Sequence, residues 1–153
     1  MLVARIAGHV LHLANAAEVQ HALLALYHIN CALLEAWPDR WPRLYDSGVV
    51  WQLEPDPRDA GGEEWLTVAQ LYDGREMADC EDIAAARAAE LTVLYGVLAV
   101  PRLTFVDGGY HIVVERWDGQ WEDPSELLGM GRPVDIGRAD DGARKAWRSI
   151  RGV

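Results

Sequence analysis

Cys80, His111 and Asp123 are the residues of this 153-residue chain whose types and spacing suit nucleophilic acyl chemistry. A thiol attacks a carbonyl as the thiolate, and an imidazole held by a carboxylate is the natural group to take its proton. The sequence sets Cys80 at the first turn of a helix, where the helix dipole and exposed N–H groups favour an anion on sulfur or on an attacked carbonyl oxygen. Asp79, Glu81 and Asp82 oppose this by crowding the thiol with like charge. His111 opens a strand in GGYHIVV, and Asp123 closes the next one in WEDPS. Singly, each has a plainer reading: a cysteine that packs, a histidine that is buried or solvated, an aspartate that makes a turn before proline. The order Cys, His, Asp in these three settings is what chance seldom supplies.

Whether His111 and Asp123 meet depends on the turn between their strands. A two-residue loop at Asp118-Gly119 pairs Trp117 with Gln120 and turns Asp123 away from His111, because facing alternates along a strand. A three-residue loop Trp117-Asp118-Gly119, with Gly119 left-handed, pairs Arg116 with Gln120 and sets Asp123 opposite Val113, on the face of His111. The glycine in third place favours the bulged turn.

The elements that must position these groups follow from periodicity and punctuation. A helix is expected over about Ala16–Ala36, with Asn15 as its cap and apolar residues at Leu23, Leu26, Tyr27, Leu33 and Leu34. Pro38 and Pro42 end it. A short strand is expected over Gly48–Leu53, then a loop through EPDPRDAGGEE, then a short helix or turn over Glu64–Tyr72. Asp79 and Asp82 form a carboxylate variant of the capping box for a second, alanine-rich helix that stops near Gly96. Three β-like runs follow: Val100–Val106, Tyr110–Trp117 and Gln120–Asp123. Helices first and an antiparallel meander afterwards give an α+β class, with the N-terminal helices packed on the meander.

The stretches DCEDIAAARAAEL, YHIVVERWDG and WEDPSELLGM resemble the transglutaminase-like superfamily, thiol enzymes with a papain-like core. The resemblance implies Cys80 as nucleophile, His111 as general base and acid, and Asp123 as the residue that orients the imidazole. Asp-Pro-Ser at 123–125 matches the family's Asp-Pro followed by a small hydroxyl residue, whereas Ala78 stands where the family often has glycine. LYDSGVVWQLEP and EEWLTVAQL extend the similarity to small phage- and prophage-encoded proteins, over about Ala25–Met130. It implies a thiol peptidase or amidase acting on a peptide or protein substrate, in a bacterial host's cytoplasm or on a virion. The alternative is a phage structural or assembly protein that uses the fold to bind a protein partner without catalysis.

The remaining residues narrow the field. A net charge of −10 argues against nucleic acid and anionic membranes as partners, and no apolar run is long enough to span a bilayer. A signal peptide is not expected, and two cysteines make no disulfide scaffold. Cys31, mid-helix on an apolar face, reads as an inert core thiol. His9, His12, His21 and His28 lack a ligand spacing, so no metal is expected, and no cofactor motif is present. Gln52 and Gln70 are both candidate oxyanion donors. Trp51, Trp65, Trp117 and Trp121 are core residues or cleft walls. Glu81 and Asp82 could select a basic substrate, although capping explains Asp82 more simply. Residues 1–131 read as one domain carrying eight basic and 21 acidic groups, while 132–153 is a Gly-containing basic tail, six against three. Folding back on the acidic body is its simpler reading, and an arm that contacts a partner is the other.

Overall fold

The computed structural model describes residues 1–53, 62–74, 77–106 and 109–130. The basic stretch 132–153 and most of the EPDPRDAGGEE loop lie outside them. The chain opens with a hairpin, β1 (Leu2–Ile6) and β2 (His9–Leu13), that no sequence signal announced. Leu2, Ala4 and Ile6 point inward while the residues between them do not, a half-buried strand's pattern. Its two-residue turn, Ala7-Gly8, has positive φ at both positions. That geometry usually advertises itself as Asn-Gly, and alanine there hides it.

α1 spans Ala16–Ala36. Asn15 caps it by accepting from the Glu18 amide at 3.0 Å, and Glu18 returns its carboxylate to the Ala14 amide at 2.7 Å. Buried Asn30 uses its Oδ1 to accept from the Val68 amide at 2.9 Å, the first residue of α2 (Val68–Leu71). The expected strand over 48–53 is only β3 (Val50–Trp51), and the segment 64–72 divides into β4 (Glu63–Trp65) and α2. β4 runs parallel to β1, and β3 runs parallel to β5 (Met77–Ala78). Gly62 enters β4 at φ +116, where an added Cβ would lie 2.7 Å from the Val3 carbonyl oxygen, so only glycine fits that approach.

α3 (Cys80–Leu94) is buried along most of its length; its alanines let it sit close to α1 on one side and to the meander on the other. The meander is β6 (Ala99–Val106), β7 (Gly109–Arg116) and β8 (Trp121–Glu122), antiparallel throughout. Thr92 fastens the end of α3 to β6 through the Ala99 amide and carbonyl, both at 3.1 Å, and receives the Tyr27 hydroxyl of α1 at 3.0 Å. At β6's outer edge the Gln20 side chain donates to Pro101 O (2.9 Å) and accepts from Leu103 N (2.8 Å). Mixed α+β architecture with helices on an antiparallel meander is therefore present, joined by a mixed three-stranded sheet and a two-stranded parallel pair. One main apolar core joins these elements apart from β8, and a small second cluster gathers Met130 with Trp51 and Leu53.

Candidate active site

The turn after β7 is the bulged one. Arg116 N–H donates to Gln120 O at 2.9 Å, Gly119 N–H donates to Arg116 O at 3.0 Å, and Gly119 has φ +81. Val114 pairs with Glu122, so Asp123 falls opposite Val113 and on the side of His111. Asp123 Oδ2 lies 2.8 Å from His111 Nε2. Its other oxygen accepts from the Glu126 amide at 3.2 Å, so the turn-forming role of an Asp-Pro pair operates alongside the contact to imidazole.

Cys80 is the first residue of α3 and is 4% exposed. Its position owes much to the shortness of β8. Alternate residues of β7 direct their N–H groups toward β8, a set that includes Arg116, Val114 and Ile112. β8 ends at Glu122, and the register then brings Pro124 opposite Ile112, where no further ladder pair forms. The Ile112 amide meets the Cys80 thiol instead. The sulfur thus occupies the β8-side edge of β7, at the residue following His111.

The structure brings His111 and Asp123 into direct contact, while the Cys80 S–H is directed at Glu81 Oε2, 3.4 Å away. Burial pushes the thiol well above its usual range, and the charges of Glu81 and Asp79 push the same way; the Ile112 amide acts in the opposite direction. The resting sulfur is a protonated thiol.

Glu81 and Asp82 face the protein rather than a substrate. Glu81 accepts from the Tyr110 hydroxyl through one oxygen and from the thiol through the other. The Tyr110 hydroxyl also lies 3.4 Å from Glu63 Oε2, and Glu63 accepts from the Trp65 indole at 2.9 Å. Burial, then Glu63 and Glu81, hold the Tyr110 phenol well above its ordinary range. Asp82 accepts from the Asp79 amide (3.4 Å) and from the Leu66 amide (2.6 Å), tying the helix start to the β4–α2 connection. Sequence reasoning passed over Tyr110; its only signal was that it flanks His111 on the opposite face of β7.

Of the two glutamines, Gln70 is spent on capping α2: its Oε1 accepts from Thr67 N at 3.0 Å. Gln52 is exposed, with its backbone amide on Ala78 O at 2.8 Å, two residues ahead of Cys80. Beside it, Trp51 keeps a buried indole nitrogen with no acceptor among the described residues. Trp65 is fully buried, whereas Trp117 and Trp121 are exposed. Cys31 is half-buried and its thiol is raised by burial. His9, His12, His21 and His28 are exposed, and no metal-holding group of three or more ligands occurs among the described residues. No helix among the described residues is long and apolar enough to cross a membrane. Comparison with protein-family models, with curated proteins and with solved structures finds no match.

Proposed function

We propose that the protein is a thiol hydrolase of transglutaminase-like type, a peptidase or amidase in which Cys80, His111 and Asp123 act in sequence. The observation that supports it is the 2.8 Å His111–Asp123 pair beside the edge of β7 where the Ile112 amide holds the Cys80 sulfur. Rotation of the S–H bond away from Glu81 hands its proton to His111 Nδ1, the nitrogen not turned to Asp123, as sulfur attacks the substrate carbonyl. N–H groups at the start of α3 receive the developing oxyanion. The imidazole then protonates the departing amine, leaving a thioester. Water, deprotonated by the same imidazole, attacks the thioester; the acid departs and the thiol regains its proton. An amine in place of water would give a cross-linked amide. The resemblance to phage and prophage proteins sets this in a bacterial cytoplasm or on a virion, without cofactor or metal.

A second reading has its own support. Cys80 and His111 are 4% and 1% exposed while Trp117 and Trp121 are 74% and 55% exposed, which suits a phage structural or assembly protein that binds a partner through its tryptophans. Treatment with a peptidyl vinyl sulfone, followed by mass spectrometry, separates the two. Modification of Cys80 that is abolished in His111→Ala supports the hydrolase. Modification of Cys31 alone, or of neither cysteine, overturns it.

A further inference from the structure

In the three-stranded sheet the order β2–β1–β4 gives β2 a neighbour on one side only. Its turn from β1, Ala7-Gly8, is two residues long, so Ile6 and His9 form a narrow pair that exchanges both backbone hydrogen bonds. Alternation makes Ala4–Leu11 and Leu2–Leu13 narrow pairs as well, and Arg5–Val10 and Val3–His12 wide ones. Val10 and His12 therefore turn their N–H and C=O groups away from β1. Among the described residues no hydrogen bond meets them there. Proteins usually guard such a border with a lysine, a proline or a bulge. β2 reads His-Val-Leu-His-Leu, pairs with β1 in unbroken register and has none of these; Val10 is 53% exposed.

The charge distribution narrows what fits this border. Residues 1–34 hold two charged side chains, Arg5 and Glu18, so the net charge of −10 lies wholly outside them. Two copies of an acidic chain that repel elsewhere can approach through this neutral stretch. The strand is also its own complement. Laid antiparallel on a second β2, about a two-fold axis at Leu11, Val10 of each copy falls opposite His12 of the other. Both of these pairs are narrow, with two hydrogen bonds each, and the two leucines form the wide pair between them, where side chains sit closest. Every outward backbone group of one copy is then satisfied by an outward group of the other.

We infer that the protein forms a two-fold dimer through β2, which joins two three-stranded sheets into one continuous sheet in the order β4–β1–β2–β2–β1–β4. The contact uses the same strand of both copies, so it closes at two and leaves no β2 border for a third. It is independent of the chemistry at Cys80.

Sedimentation velocity on the full-length protein, from about 5 μM to about 500 μM, tests the dimer. A monomer–dimer equilibrium with no larger species is expected. Val10→Pro removes one outward N–H from each copy, at a border position that accommodates proline, and Val10→Lys puts a charge into each narrow pair. Each should weaken dimerisation by about tenfold or more while the circular dichroism spectrum stays that of the wild type. Where proline disturbs the hairpin, Val10→Lys decides, because its side chain replaces one that is half exposed. Phe105→Lys, the same change of charge at a 67% exposed position of β6, should leave the dimer as tight. A monomer at every concentration, growth beyond two copies, a dimer that either folded Val10 variant leaves as tight, or one that Phe105→Lys weakens equally overturns the inference.

Discussion

Glu81 accepts the S–H of Cys80 in the resting state, and its replacement is the most direct probe of the thiol. Because its negative charge raises a sulfur already raised by burial, Glu81→Gln should shift the pH profile of iodoacetamide alkylation at Cys80 to lower pH. An unmoved profile would show that burial and Asp79 raise the thiol without a contribution from Glu81. Asp123 works at the other end. Asp123→Asn keeps the shape of the side chain but withdraws the charge that stabilises an imidazolium, and turnover of an activated peptide ester should fall by about 10²–10⁴ with the fold intact. Tyr110 and Glu63 enlarge the set of groups near the sulfur beyond what spacing in the sequence could show. Their contact with Glu81 depends on α3, β4 and β7 meeting in three dimensions, and no local pattern encodes it.

At the scale of elements, β8 is two residues long yet must place Asp123. Alternation points Glu122 toward α3, where Arg87 Nε meets its Oε1 at 2.6 Å and the Tyr45 hydroxyl donates to the same oxygen. Arg87 also bonds Glu90 at 2.6 Å, and Glu90 accepts from the Leu44 amide at 2.8 Å. This clamp ties the strand to a helix and to the 3-10 turn Leu44–Asp46. Arg87→Met leaves two largely buried carboxylates without their cation and should cost about 3 kcal/mol in urea unfolding. Arg87→Lys, which keeps the charge but cannot bridge both carboxylates as the guanidinium does, should lose less. The long helices were legible because Asn15 and the Asp79–Asp82 pair mark their starts, and the turn after β7 was legible because Gly119 fits one loop length better than the other. The β1–β2 hairpin was obscured by Ala7-Gly8. β4 and β5 were obscured, and the strand expected over 48–53 proved shorter, for a different reason: parallel pairs of two or three residues are defined by distant partners, not by their own composition.

For the whole molecule, groups held protonated by burial govern alkaline stability. In the unfolded chain a thiol titrates near about 8.5 and a tyrosine near about 10. In the fold Cys80, Tyr110 and Tyr72 are raised above those values, chiefly by burial. Above about pH 8.5 the unfolded state therefore carries fewer protons than the native one, and stability falls as pH rises. Thermal melting should show this decline, and Cys80→Ala should make it shallower between about pH 8.5 and 10. No change in slope would mean that the other raised groups account for it.

The Gln20 amide on the border of β6 bears on how copies of the chain meet. Its two hydrogen bonds imitate those of a neighbouring strand, so the rim of the meander is closed to strand addition by one side chain. Gln20→Ala would expose the Pro101 carbonyl and the Leu103 amide together, turning a sealed border into a template for self-association that grows with protein concentration.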